Sequence, residues 1–199
     1  MSIIYDNSVI NISREELITS LQSRLSPKRF EHVLRVESTA IQMANDFGVD
    51  PVRASIAALL HDYCKEMPAE DIYELARNFT PIVEEHDANP HIWHSYAAAY
   101  VARETFNIQD VEIIQAIACH TIGGETMEHL SQIIFIADYI EPGRDFKGVD
   151  KVRKLVKEDL EEAVLTKMKQ TIQHLVKKEE VIFPVSVKIY NEWIKKKRG

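Results

Sequence analysis

Imidazole and carboxylate groups interrupt or end several strongly apolar segments of the chain. The six residues concerned are His32, His61, Asp62, His94, His120 and Asp138. Burying such groups among apolar side chains costs free energy unless a cation or hydrogen-bond donors compensate it. Any one of them alone is more often a hydrogen-bonded core or surface residue. Together they indicate a common cause, because separate segments rarely carry buried polar groups without partners.

A metal centre is the common cause that these residue types favour. Neutral imidazole and carboxylate together suit Fe, Mn, Zn, Ni or Co, and the lack of thiolate ligands gives no reason to choose structural zinc. Adjacent helical residues such as His61 and Asp62 diverge by about 100°, so neighbouring helices have to supply further ligands. The core of a helical bundle is where such side chains converge. The residues alone leave the identity and number of the metal ions open.

Helix signals dominate the segments that have to position these residues, and alternating strand-like patterns are hard to find. Ser13 and Glu16 form a capping-box pattern, and Ser26-Pro27 predicts a long helix that ends at Gly48. Asp50-Pro51 opens a nearly apolar helix, which is typical of a central position. Further helices are predicted over 68–78, 93–106, 110–120, 126–140, 150–178 and 184–197, with a looser stretch over 80–90.

This pattern predicts an all-α fold, a single-domain helical bundle with the metal centre in its core. The length of 199 residues suggests one domain over 1–199. Within it we expect a core formed by about 26–145, on which C-terminal helices within 150–197 pack. Four other histidines lie outside the proposed centre: His86, His129 and His174 are predicted on the surface, and His91 in a loop, with a site rim as its alternative.

Composition excludes several function classes. The 24 Lys and Arg against 31 Asp and Glu give a formal net charge of −7, which disfavours a broad nucleic-acid-binding face. Cys64 and Cys119 lie far apart, so neither a disulfide framework nor a thiolate zinc site is supported, and a reducing, cytoplasmic location is expected. No run approaches the roughly 18 apolar residues that cross a bilayer, so no membrane partner is expected.

Several short strings resemble those of a known family. His32, then His61-Asp62, then Asp138 resembles the H…HD…D signature of the HD-domain phosphohydrolases. The more specific strings are Arg29-Phe30-Glu31-His32, His61-Asp62-Tyr63-Cys64-Lys65, Trp93-His94-Ser95, Ala116 to Thr121 and Ala137 to Arg144. They resemble the YqeK-like branch, whose members resemble symmetrical bis(5′-nucleosyl)-tetraphosphatases. The resemblance extends from about Ser13 to Trp193.

The resemblance implies a centre of two metal ions, with iron as the expected metal and Mn, Co, Ni or Zn as open alternatives. It assigns His32, His61 and Asp138 to one ion, and His94 and His120 to the other. Asp62 would bridge the two ions. The residues by themselves agree with this ligand set, whereas the number of ions comes from the resemblance alone.

The predicted reaction is hydrolysis of diadenosine tetraphosphate to two ADP, with metal-bound hydroxide as the nucleophile. Asp62 and Lys65 are the expected catalytic residues, and Lys65 lies near the same helix face because it follows Asp62 by three residues. The expected substrate contacts are Arg29, Lys65, Thr121, Asp138, Arg144 and Phe183. Since the chain is acidic, the positive field around an anionic substrate has to be local.

Alternative functions keep the fold and change the role of the site. One is an HD-domain nucleotidase or phosphodiesterase that acts on a cyclic nucleotide or on guanosine tetraphosphate. Another is an oxygenase that uses two iron ions. A third is a non-catalytic sensor that binds ADP or GDP together with a partner protein, and a homodimer is compatible with any of these functions. A nucleotide is the expected small-molecule partner in the hydrolase and sensor readings.

Overall fold

The computed structural model describes residues 3–80 and 89–198. Over these residues the chain forms ten α-helices and no strand, so the all-α prediction is confirmed. The helices are α1 (Arg14–Arg24), α2 (Pro27–Phe47), α3 (Pro51–Leu60), α4 (Ala69–Phe79), α5 (Pro90–Glu104), α6 (Val111–Cys119), α7 (His129–Ile140), α8 (Val149–Leu155), α9 (Leu160–Lys178) and α10 (Pro184–Arg198). None of the helices in these ranges is long and apolar enough to span a bilayer.

The helices begin and end at the local signals that the sequence carries. Ser13 and Glu16 form the complete capping box of α1, with side chain and backbone bonded in both directions. Asp50 accepts a hydrogen bond from the backbone N–H of Val52 at the start of α3. Helix α2 ends at Gly48, whose φ of 69° lies in the left-handed region that glycine adopts without a Cβ penalty.

Three predicted boundaries are wrong. The predicted helix over 150–178 is two helices, α8 and α9, because the side chain of Asp159 accepts from the Glu162 N–H and starts a new helix there. Helix α7 begins at His129 rather than at residue 126. Helix α5 begins at Pro90, earlier than predicted, since Asn89 caps it. The looser stretch over 80–90 is described only at its ends, and residues 81–88, including His86, lie outside the described residues.

Helix α3 is the central element of the bundle. All its residues from Ala54 to Leu60 are buried, as its apolar sequence predicts. It packs against α2, α6 and α7, and α5 also contacts it. Since these are the helices that carry or precede the candidate ligands, burial of α3 fixes their mutual positions. Helices α9 and α10 pack on the outside, where α9 contacts α7.

The basic end of the chain is held by its own acidic residues. Lys196 Nζ lies 2.8 Å from Glu161 Oε1, and Lys197 pairs with Glu162 in the same first turn of α9. The indole N–H of Trp193 donates to the carbonyl oxygen of Gly124 at 2.9 Å. The final basic run therefore pairs α10 with α9 and is not a free anion-binding tail.

A buried carboxylate joins the N-terminal helices. Glu37 accepts two hydrogen bonds of 2.7 Å from the Arg14 guanidinium and one of 2.5 Å from Ser55 Oγ. Ser55 also bonds the hydroxyl of Tyr5 at 2.8 Å. Glu37 thus connects α1, α2, α3 and the segment before α1 through one satisfied polar network.

We expect Glu37→Ala to lower the free energy of unfolding by about 2 kcal/mol, because Arg14 and Ser55 lose their buried acceptor. Urea unfolding of the variant measures this loss. The control is Glu74→Ala, which removes an exposed ion pair with Arg77 and should cost less than about 0.5 kcal/mol. Equal unfolding midpoints for the two variants would contradict the structural role of Glu37.

Candidate metal centre

The six candidate ligands converge from five helices or their ends. His32 lies in α2, His94 in α5 and Asp138 in α7. His61 caps the end of α3, with Asp62 in the turn that follows, and His120 caps the end of α6. All are buried except Asp138, whose side chain is 20% exposed. The structure therefore places all six predicted residues around one small volume.

The carboxylate of Asp62 lies between two pairs of imidazoles. Its Oδ2 atom is 3.7 Å from His32 Nε2 and 3.5 Å from His61 Nε2. Its Oδ1 atom is 3.1 Å from His94 Nε2 and 3.6 Å from His120 Nε2. Each carboxylate oxygen thus faces its own pair of nitrogens, which is the arrangement of a group that can be shared between two cations.

Two groups of potential ligand atoms can be distinguished around this carboxylate. In each group the ligand atoms lie within 4.8 Å of one another; the groups are His32, His61 and Asp138, and His61, Asp62 and His120. In the first group His32 Nε2 is 3.2 Å from Asp138 Oδ1. Next to the second group, His94 Nε2 is 3.0 Å from His120 Nε2.

The hydrogen bonds of the imidazoles show that the donor set fits a metal. The Nδ1 atom of His61 donates to the carbonyl oxygen of Ala58 at 2.6 Å, and that of His120 donates to Ile117 O at 2.8 Å. Since a carbonyl only accepts, the proton is on Nδ1 and the lone pair is on Nε2. The Nε2 atoms of His61 and His32 are buried without a hydrogen-bond partner. Lone pairs facing carboxylate oxygens require a positive charge between them.

The protonation states also suit metal ligation. Burial opposes ionisation of Asp62, but the surrounding imidazoles of His61, His120 and His94 outweigh this effect and hold the pKa of Asp62 well below its usual range. Burial lowers the pKa of His94, and it lowers the pKa of His120 to about 3. These two imidazoles are neutral and the carboxylate is ionised at neutral pH, which is the state in which they bind metals.

Glu141 orients the first of these imidazoles, a role that the sequence analysis did not assign. Its Oε1 atom accepts from His32 Nδ1 at 3.1 Å, while Oε2 accepts from Arg35 Nε and from the Gly143 N–H, each at 2.6 Å. Burial opposes ionisation of Glu141, but these hydrogen bonds lower its pKa. A carboxylate behind an imidazole fixes the ring and raises its basicity toward a metal.

Lys167 is a second supporting residue that the sequence analysis missed. It is 4% exposed, and its ammonium donates to the carbonyl of His120 at 3.3 Å and to that of Phe135. The ammonium also lies 3.5 Å from the centroid of the Phe135 ring, a cation–π contact. Burial lowers the pKa of Lys167 to about 7, against the opposing charge of Asp138. Lys167 holds the end of α6 to α7 from its position on α9.

Three cationic side chains surround the centre at its accessible side. Arg29 donates to Asp62 Oδ2 at 2.8 Å, and Arg144 donates to Asp138 Oδ1 at 2.6 Å. Lys65 Nζ lies 3.3 Å from His94 Nδ1 and 3.4 Å from His94 Nε2. The structure thus places the three cations predicted to contact substrate directly against the candidate ligands.

Thr121 and Phe183, the two remaining predicted contacts, line an adjacent cavity of about 550 Å³. We call it the apolar cavity, because Ile122, Met168 and Ile172 form much of its wall. Thr121 Oγ1 lies 3.4 Å from His120 Nε2, so the cavity opens beside the centre.

Three histidines outside the centre are described, and the predicted positions of two of them are confirmed. His129 and His174 are exposed, as predicted. His91 lies in the first turn of α5, so its predicted loop placement is wrong, and it lines the apolar cavity. The reason is the early start of α5, because Asn89 accepts from the N–H of His91 and begins the helix one turn before Trp93.

We expect Glu141→Gln to weaken metal binding by about 10- to 100-fold, because the neutral amide is a poorer acceptor for the His32 Nδ1 proton. Competition with a chelator of known affinity measures this change. Glu128→Gln, at an exposed helix cap without a side-chain hydrogen bond, is the matched control and should bind as the unmodified protein does. Unchanged affinity in Glu141→Gln would show that this carboxylate does not support the ligand.

Comparison with known proteins agrees with this arrangement. A family model described as HD domain matches residues 29–143, which include all six candidate ligands. The chain is 38% identical over 183 residues to the symmetrical bis(5′-nucleosyl)-tetraphosphatase of Bacillus subtilis, covering 92% of this chain and 98% of that protein. The protein of the same name from Halalkalibacterium halodurans is 35% identical over 181 residues, covering 91% of this chain and 97% of the relative.

The fold is similar to that of a solved structure as well. The crystal structure of a protein from Clostridium acetobutylicum, described as a predicted HD superfamily hydrolase involved in NAD metabolism, superposes with a TM-score of 0.81. The two chains are 34% identical, and the match covers 93% of this chain and 98% of the other. With the family model spanning more than half of its length and these relatives matched almost end to end, the chain belongs to the HD-domain family, in the branch that contains the symmetrical bis(5′-nucleosyl)-tetraphosphatases.

Proposed function

We propose that this protein hydrolyses diadenosine tetraphosphate symmetrically to two ADP. The observation that carries the proposal is the Asp62 carboxylate, each of whose oxygens faces a separate pair of imidazoles. Such an arrangement supports a centre of two cations, and two-cation centres suit displacement at phosphorus. The names of the relatives support the substrate.

In this proposal His32, His61 and Asp138 hold one ion, His94 and His120 hold the other, and Asp62 bridges them. Two bound ions would lower the pKa of a water molecule and stabilise the attacking and leaving oxygens. Water adds to one inner phosphorus, the bond from that phosphorus to the central bridging oxygen breaks, and the other half leaves with that oxygen. Both products are then ADP.

The side chains at the accessible side neutralise the tetraphosphate. The guanidinium groups of Arg29 and Arg144 can each bind two phosphate oxygens. Lys65 lies beside His94, where it can bind a phosphate oxygen close to the second ion. This local positive field explains how a chain of net charge −7 can bind a polyanion.

The apolar cavity is proposed to bind one adenosine. Its volume of about 550 Å³ lies in the range typical of small-molecule sites. Phe183 and Thr121 both line it. In this proposal Phe183 packs on the base, and Thr121, which lies next to the centre, binds a phosphate oxygen. His91 is a further polar group in its wall that the predicted contact set did not include.

Iron is the proposed metal, and its identity rests on the family resemblance. The donor set of imidazole and carboxylate supports iron but suits Mn, Co, Ni and Zn as well. We also propose a cytoplasmic location, which the sparing use of cysteine supports, and a single domain over 1–199. A homodimer stays a prediction that sedimentation of the purified protein tests.

The activity is tested by incubating the purified protein with diadenosine tetraphosphate and separating the products. We expect ADP alone, whereas ATP together with AMP would contradict symmetrical cleavage. We expect Asp62→Ala to lower the activity by more than about 100-fold. Residues that only support metal ligands typically change activity by about 10- to 100-fold, and the loss of a ligand should exceed that. His174→Ala, an exposed histidine, is the matched control and should keep full activity. Full turnover by Asp62→Ala would refute the assignment.

A panel of other nucleotides separates the alternative functions. Preferred cleavage of a cyclic nucleotide or of guanosine tetraphosphate would favour another phosphohydrolase. Turnover that depends on oxygen would favour an oxygenase. Binding of ADP without any turnover would favour a sensor.

Metal removal gives an independent test. We expect exhaustive treatment with a chelator to abolish hydrolysis, because the proposed reaction needs metal ions to lower the pKa of the attacking water and to stabilise the leaving oxygen. Addition of Fe²⁺ or Mn²⁺ under anaerobic conditions should restore activity, and elemental analysis of the untreated protein should find iron. Full activity in protein shown by that analysis to be metal-free would contradict a metal-dependent reaction.

A further inference from the structure

A second opening lies beside the candidate metal centre. It has a volume of about 420 Å³, and six of its lining residues are Lys28, Arg29, His32, Arg35, Arg144 and Phe146. We call it the basic cleft. Its volume falls in the range of about 300–1,000 Å³ that is usual for small-molecule sites. It shares no lining residue with the apolar cavity in the part of the chain that the structure describes.

The two openings border different ends of the centre. The basic cleft includes His32, which faces the Oδ2 atom of Asp62. The apolar cavity includes Thr121, which follows His120, the residue that faces Oδ1. Asp62 therefore lies between the two openings. A molecule that occupies both openings can therefore place its middle part at the candidate metal centre.

The chemistry of the basic cleft suits a nucleotide. Four cations, three of them arginines, line it together with three carboxylates, those of Glu66, Glu141 and Asp145. Arg35 is held in place by Glu141 at 2.6 Å and Arg29 by Asp62 at 2.8 Å, so both guanidinium groups are fixed before any ligand binds. Lys28, by contrast, is exposed and enters no ion pair among the described residues. Its charge is available for a phosphate group.

Phe146 adds an aromatic surface to these cations. The residue is 38% exposed although it is large and apolar, and its ring contacts Tyr139 edge to face with centroids 4.9 Å apart. Exposed aromatic rings beside cationic groups are the combination that binds a base together with its phosphates.

A substrate with two equal halves needs a site for each half. Cleavage at the central bridging oxygen places one nucleoside and two phosphates on either side of the centre. The proposed function assigns one of these nucleosides to the apolar cavity. We propose that the basic cleft binds the second nucleoside diphosphate half, with Lys28 and Arg35 on its phosphates and Phe146 stacked on its base. This inference rests on the proposed function, since it assumes a substrate that extends in both directions from the centre.

Kinetics with diadenosine tetraphosphate test the role of the cleft. We expect Phe146→Ala to raise KM about tenfold with kcat nearly unchanged, which is the loss typical of one base stacked on an aromatic ring. Phe146→Trp should keep the low KM, because it keeps a ring. Lys28→Glu should raise KM more at low ionic strength than at high, since exposed charges are screened by salt. Lys157→Glu, an exposed lysine between α8 and α9, is the control.

Equilibrium dialysis with radiolabelled ADP gives a second readout on the metal-loaded protein. We expect two ADP molecules to bind per chain. Phe146→Ala should weaken the binding of one ADP and leave the affinity for the other unchanged. A single ADP per chain, or variants at Phe146 and Lys28 with unchanged KM, would overturn the proposal for the cleft. Failure of the unmodified protein to hydrolyse diadenosine tetraphosphate would instead refute the proposed function, and the count of bound ADP would still decide whether the cleft binds a nucleotide.

Discussion

The ionised carboxylate of Asp62 in the middle of a helical bundle is the constraint on which the rest of the structure depends. A buried charge of this kind is strongly unfavourable without compensation. The four imidazoles that face its two oxygens come from α2, α5 and the ends of α3 and α6. Each of these helices therefore has to place its histidine at a fixed position beside Asp62. The apolar packing of α3 against α2, α6 and α7 is what holds those points together.

Around this group the protein fixes proton positions as well as atoms. Backbone carbonyls hold the Nδ1 protons of His61 and His120, and Glu141 holds that of His32. The lone pairs of these rings consequently point inward, toward the carboxylates. Arg35 neutralises Glu141 from behind, and Lys167 contributes a positive charge near Asp138. The rings of His32, His61 and His120 are thus each held in one orientation.

The surroundings of the centre differ from one side to the other, although the proposed substrate is symmetrical. One side opens to an apolar cavity with Phe183, and the other to a cleft lined by arginines. The arginines that line this cleft also bond the carboxylates and Glu141. The same side chains therefore stabilise the folded centre and provide its positive field. In an acidic chain this double use confines the positive potential to the place where a polyphosphate would lie.

The amino-acid sequence determined the helical class, most helix starts and the candidate ligands, because each of these depends on local features. The capping box at Ser13 and the polar pair His61-Asp62 after an apolar run can each be recognised from residues within about one helical turn. The supporting roles of Glu141 and Lys167, and the existence of the basic cleft, depend on the tertiary structure alone. Lys167 lies in a heavily charged segment, and only the packing of α9 on α7 shows that its ammonium is buried against Phe135. Local patterns specify which residues a helix contains, whereas the partner of a side chain on a distant helix depends on how the helices pack.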